Sequence, residues 1–216
     1  MNAQHAKSMI EAGRVIAILR GDYTGYFRQI ARALADAGIT AIEITLNSTG
    51  ALDGLHEMKA ELGDRFLIGA GTVLNESQAF EALSAGAQFI VAPNTNPRVV
   101  AICVERDICV IPGAYTPTEI MNAVELGAHL IKLFPAELGY FKAVRAPLNH
   151  VPFVATGGVS LDNAAEYIQA GAVAVGMGSQ LIGEYVKQAG GIEALGERAR
   201  RLVRALALES QGVRAI

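Results

Sequence analysis

The chain has 216 residues, 51% of them apolar, with 23 Gly, 7 Pro, 18% charged residues and no Trp, a composition that excludes disordered, collagen-like and fibrous proteins. Its 18 Lys and Arg against 21 Asp and Glu give a formal net charge of −3, which leaves no basic excess to hold a nucleic-acid backbone. The length favours one domain, spanning 1–216, of the kind built on a large sheet or barrel.

Residues Met1 to Gly13 carry Lys7, Glu11 and scattered apolar positions, unlike the apolar core of a signal peptide. An N-terminal helix and a cytoplasmic location are expected. Apolar runs such as Ala172 to Met177 are too short to cross a bilayer, so no membrane association is expected. A repeated pattern then begins, in which a helical stretch ends in Gly and is followed by a β-type run. It recurs at Gly38, Gly86, Gly127 and Gly171, each placed where a helix takes a left-handed C-cap. Another apolar run lies in every gap, and one precedes the first. Strands are therefore predicted near 14–19, 41–46, 65–69, 88–92, 107–111, 130–134, 152–156 and 172–177.

Strict alternation of apolar strands with helices means a parallel sheet covered by helices. Eight units share 216 residues, or 27 each, which suits an α/β fold of the compact (β/α)8 TIM-barrel kind. The rival is a doubly wound sheet, but no Gly-x-Gly-x-x-Gly turn follows the first strand. Cys103 and Cys109 each lie between apolar neighbours without Cys-x-x-Cys spacing, and read as buried thiols in a reducing compartment.

Barrel enzymes place their chemistry at the C-terminal ends of the strands, which directs attention to Arg20, Glu43, Gly69 to Thr72, Lys132, Thr156 to Gly158 and Gly176 to Ser179. Lys132 lies within Leu130-Ile131-Lys132-Leu133-Phe134. Burial there disfavours an ammonium and produces an amine able to condense with a carbonyl. Glu43, within Ile42-Glu43-Ile44-Thr45, is either the counter-ion of Lys132 or a general acid and base. The two readings are compatible. Gly157, Gly158, Gly176 and Gly178 let backbone N–H groups approach an anion, and Ser179 can open the next helix and add a hydroxyl donor. Tight turns alone would also use these glycines. His5, His56, His129 and His150 are scattered, so no metal or cofactor is expected. The run Glu197 to Arg204 reads as the solvated face of a C-terminal helix.

Ile42-Glu43-Ile-Thr-Leu46, Ile68-Gly-Ala-Gly-Thr72, Ile111-Pro-Gly113, Ile131-Lys132-Leu-Phe134-Pro135, Thr156-Gly-Gly158 and Gly176-Met-Gly-Ser179 occur in this order. Together they resemble the 2-keto-3-deoxy-6-phosphogluconate and 4-hydroxy-2-oxoglutarate aldolase family, over about 8–205. The resemblance implies a class I aldolase on a usually trimeric barrel, with a small phosphorylated keto acid as its partner. By the same resemblance Lys132 is the Schiff-base lysine, Glu43 the general acid and base, and Thr72 and Pro93 part of a pyruvyl pocket. Phe134 walls the site; Gly157, Gly158 and Ser179 hold phosphate; and Arg20 takes up the carboxylate or phosphate end. Asn47, Leu19-Arg20-Gly21 and Ala92-Pro-Asn94 look like the 6-phosphogalactonate branch, whereas Thr156 before Gly-Gly is similar to the gluconate type. Both C4 epimers stay open as substrates. A phosphosugar isomerase or epimerase using Glu43 as base, and a non-catalytic phosphate-binding barrel, are the rival functions.

Overall fold

The computed structural model describes residues 1–212. Helix α1 (Ala3–Gly13) leads into β1 (Val15–Leu19), and the pattern continues through α2 (Phe27–Asp36), β2 (Ala41–Thr45), α3 (Ala51–Leu62), β3 (Leu67–Gly71), α4 (Glu76–Ser84) and β4 (Phe89–Val91). The second half runs α5 (Pro97–Glu105), β5 (Cys109–Ile111), β6 (Gly113–Ala114), α6 (Pro117–Glu125), β7 (Ile131–Leu133), α7 (Leu138–Arg145), β8 (Phe153–Thr156), α8 (Ala164–Gln169), β9 (Ala174–Met177) and α9 (Gly191–Gly212). All the strand pairs are parallel, in the order β5-β4-β3-β2-β1-β9-β8-β7-β6. This is the nearly closed (β/α)8 barrel expected from the sequence.

Among the described residues nine strands appear rather than eight, because the fifth run is split at Pro112. Proline has no N–H to donate, so β5 pairs with β4 on one side and β6 with β7 on the other. The single segment from Cys109 to Ala114 thus brings both ends of the sheet together. The glycine-capped helix ends are also as predicted. Gly38, Gly86, Gly127 and Gly171 have φ of 91°, 99°, 90° and 99°, a region open to Gly at little steric cost.

Alternation along each strand divides the apolar residues into two cores. Val15, Ala17, Leu19, Ile42, Ile44, Ile131 and Leu133 face outward and pack under the helices. Ile16, Ala41, Leu67, Phe89, Cys109, Leu130, Val154 and Ala174 point into the barrel, where Ala3, Ala6 and Ile10 of α1 join them and plug one end. Both cysteines are free and buried, and loss of hydration pushes each thiol up to about 12. Among the described residues no helix is long and apolar enough to cross a membrane.

Candidate active site

The inward alternation that places Ala41 in the plug also points Glu43 inward one step further along β2, and Lys132 does the same from β7 after Leu130. The two strands lie across the barrel from each other, so their side chains meet over the apolar plug. Lys132 Nζ and Glu43 Oε1 are 3.8 Å apart with side chains 6% and 2% exposed. That distance is long for a hydrogen bond, and Glu43 Oε1 has no hydrogen-bond partner among the described residues. Loss of hydration raises the Glu43 carboxyl above its ordinary 4.5, with Lys132 and then Arg20 pulling against it.

The glycine pair of β3 makes this possible. A Cβ on Gly71 would lie 2.7 Å from Glu43 Oε1, and one on Gly69 would lie 2.4 Å from the Phe89 ring. Gly71 is therefore the space that the carboxylate occupies. Beyond the pair, the Phe134 ring lies 5.3 Å from Lys132 Nζ, centroid to nitrogen, in range of a cation–π contact. Phe134 itself is 36% exposed, so the ring that contacts the buried amine is itself only partly covered.

From Phe134 a cavity of about 410 Å3 opens toward the ends of β8 and β9, lined among others by Arg20, Thr156, Gly157, Gly158, Ser160 and Ser179. Gly157 and Gly158 have φ of 81° and 83°. A Cβ at Gly158 would stand 2.5 Å from the Ala136 carbonyl, so both its conformation and its packing require glycine. Asn163 holds this turn: its Nδ2 donates to the Gly158 carbonyl at 2.9 Å, and its Oδ1 accepts from Ser160 N–H at 2.7 Å. Gly176 lines the cavity and has a second role besides the expected anion contact. It pairs with Thr156 across β8 and β9, and a Cβ there would meet Thr156 Oγ1 at 2.4 Å. Its absence gives the Thr156 hydroxyl room inside the barrel. Ser179 also differs from expectation. It opens no α-helix but sits in a turn closed by Leu181 and Ile182 N–H donating to the Gly178 carbonyl at 2.8 and 2.9 Å.

Two predicted residues lie off this cavity. Pro93 lines an adjacent one of about 460 Å3, together with Asn94, Tyr115, Glu119 and again Phe134. Phe134 is thus the partition between the two. Thr72 follows β3 with φ of 59°, a left-handed conformation that costs a β-branched residue about 1–3 kcal/mol. Thr45, Ser48, Ser160, Asn163 and Gln180 escaped the sequence reading. Thr45 and Ser48 share a buried hydroxyl contact of 2.8 Å, and Ser48 Oγ accepts from Gly21 N–H at 3.1 Å, which ties the segment after Arg20 to the end of β2. The Ser-x-x-Asn spacing just beyond Gly157 and Gly158 is a local turn signal that points to Ser160 and Asn163. Nothing local points to Ser48.

The arrangement puts a buried amine beside a carboxyl group that can take or give a proton, under a ring, next to a cavity rimmed by glycine backbone and one guanidinium. Such a site can condense with a carbonyl and move protons around the adduct. Known proteins of this kind are similar in sequence and shape. A 2-dehydro-3-deoxy-phosphogluconate aldolase of Treponema pallidum (strain Nichols) is 41% identical over 163 residues, covering 74% of this chain and 77% of that one. A 2-dehydro-3-deoxy-6-phosphogalactonate aldolase of Escherichia coli (strain K12) is 39% identical over 171 residues, covering 77% and 83%. The crystal structure of KDPG aldolase from Legionella pneumophila, with pyruvate captured at low pH as a covalent carbinolamine intermediate, superposes with a TM-score of 0.84 at 27% identity, covering 91% and 97%. The family described as KDPG and KHG aldolase matches residues 6–197, nearly the whole barrel, and the chain belongs to this family of carbon–carbon lyases.

Proposed function

We propose that this chain is a class I aldolase in which Lys132 forms the Schiff base and Glu43 moves the protons. It cleaves a 2-keto-3-deoxy-6-phospho sugar acid to pyruvate and glyceraldehyde 3-phosphate. The observation that carries the reading is the 3.8 Å pair of buried Lys132 and Glu43, set beside a glycine-rimmed cavity. Breaking the C3–C4 bond of the substrate leaves an electron pair, and an iminium at C2 is where it goes. Lys132 Nζ adds to the C2 ketone, and Glu43 shuttles protons while the carbinolamine loses water. Glu43 then takes the C4 hydroxyl proton, the C3–C4 electrons move into the iminium, and the aldehyde leaves. The remaining enamine takes a proton at C3, and water releases pyruvate from Lys132.

Gly157, Gly158 and Ser179 supply phosphate contacts in this reading. Holding that distant group fixes C3 and C4 over the iminium, so remote binding lowers the barrier. Arg20 clamps the C1 carboxylate or reinforces the phosphate contacts. Thr72, Pro93 and Phe134 border the pyruvyl half. The C4 hydroxyl is assigned to Thr156, whose own hydroxyl has the space left by Gly176. Asn47 and Arg20 favour the galactonate epimer, and both epimers are expected to be cleaved because the amine and carboxyl chemistry is common to them.

We further take residues 1–216 as one aldolase domain, working in the cytoplasm as a homotrimer and needing no cofactor. The free buried thiols support a reducing location. Phe80 of α4 and Val104 of α5 are exposed, as are Leu74 just before α4 and Leu126 just after α6, which supports a contact surface between copies. Borohydride reduction in the presence of pyruvate tests the function: a stable adduct at Lys132 is expected. Its absence would favour an isomerase or a phosphate-binding module. Assay of the two epimeric keto acids side by side then reads the preference.

A further inference from the structure

Helix α9 carries several cations expected to be solvated, and Arg198 departs from that expectation. Its Nη2 donates to the Gln180 carbonyl at 2.5 Å, its guanidinium lies 5.5 Å from the centroid of the Tyr185 ring, and its Nε is buried without a hydrogen-bond partner among the described residues. No carboxylate among the described residues lies within 4.0 Å of it. Arg201, one turn further along the same helix, instead pairs with Asp162 at 2.8 Å, both side chains being well exposed. A half-buried guanidinium whose Nε is shielded from water and whose Nη2 is tied to one carbonyl is held there by its surroundings.

What it holds is the turn after β9. The peptide between Gln180 and Leu181 is planar, and both of its polar groups are engaged. The Gln180 carbonyl accepts from Arg198, and the Leu181 N–H donates to the Gly178 carbonyl at 2.8 Å. The Tyr185 hydroxyl donates to the Leu181 carbonyl, the next along. The turn that carries Ser179 and Gln180 into the cavity is thereby fixed from outside the barrel. We propose that Arg198 is a positioning residue for substrate phosphate: it sets the Ser179–Gln180 turn through the Gln180 carbonyl. This rests on the reading of the cavity as the phosphate site. It names a determinant in the C-terminal helix that touches neither the substrate nor the reacting atoms.

Two readouts separate the clamp from the reading beneath it. The first is hydrogen exchange at the Leu181 and Ile182 amides of the full chain, which needs no ligand. Arg198→Leu should speed exchange there by about tenfold or more, as loss of a local restraint lowers the opening free energy. Unchanged exchange overturns the proposal. The second is condensation of pyruvate with glyceraldehyde 3-phosphate or with unphosphorylated glyceraldehyde. Arg198→Leu should raise KM for the phosphorylated aldehyde about tenfold, and the ratio of the two kcat/KM values should fall by a similar factor. Arg201→Leu removes the same charge from the same helix and should shift neither readout by more than about twofold. Arg198→Lys keeps a cationic N–H donor for the Gln180 carbonyl without the planar fork, and should recover both readouts at least in part. Wild-type indifference to the aldehyde's phosphate would instead sink the phosphate reading, and the exchange data would still decide whether the turn is clamped.

Discussion

The two ends of the barrel interior are equally buried and oppositely built. At the end closed by α1, Ala3, Ala6 and Ile10 meet Phe89, Leu67 and Leu130 in an apolar plug. One step along the same strands the interior holds Glu43 and Lys132, 1% and 5% exposed, and a carboxylate oxygen that finds no hydrogen bond among the described residues. The plug follows the ordinary logic of burial. The other end breaks it, and the break is local: no more than two residues of β2 and β7 separate the two regimes. The contrast teaches that the same strand geometry serves packing at one end and chemistry at the other. Substitutions at the two ends should therefore separate stability from activity.

The largest effect is expected from Lys132→Ala, which should lower turnover by about 10³-fold or more while the fold persists. Glu43 is left without its partner, and protonation of its already raised carboxyl relieves the buried charge. Steady-state assay with circular dichroism checks both halves, and retention of more than about a tenth of the rate would remove Lys132 from the covalent step. Glu43→Gln should slow turnover by about 10²–10⁴-fold. In the wild type, kcat/KM should fall as pH drops through the Glu43 pKa, because the carboxylate form must be present to accept a proton. Burial raises that pKa, so the acid limb should lie above 4.5. A limb at or below 4.5 would assign the titration to another group.

At the plugged end the expectation inverts. Phe89→Ala removes a ring that fills the space over Gly69 and should cost about 3–5 kcal/mol of stability, read by denaturant unfolding, with activity per folded molecule nearly retained. Loss of activity in step with Lys132→Ala would mean that the two ends are mechanically one. The smallest effect should come from the boundary. Thr156→Val leaves the space above Gly176 filled but removes the hydroxyl, and should shift the ratio of kcat/KM between the two C4 epimers by the equivalent of about 1–3 kcal/mol. An unchanged ratio would pass the role of reading C4 to Asn47 and Arg20.

Much of this was legible in the chain itself. The glycine that ends a helix and the apolar run that follows it are neighbours in sequence, so four repeats predicted the barrel order, and Lys132 and Glu43 stood out because a charge within an apolar strand is exceptional by composition alone. The proline split of the fifth strand is equally local once Pro112 is taken as a missing donor. Other features depended on contacts between residues far apart in the chain. Gly71 and Gly176 look like turn or anion-binding glycines until the strands are in register, when each proves to be the space for a side chain of a neighbouring strand. Arg198 looks solvated in a run of charged residues, and only the packing of α9 near the turn after β9 shows which carbonyl it holds. Sequence determined the elements, their order and the reactive groups, because propensity, capping and alternation act over a few residues. Tertiary structure decided which groups face each other, since barrel closure sets distances that no local pattern encodes.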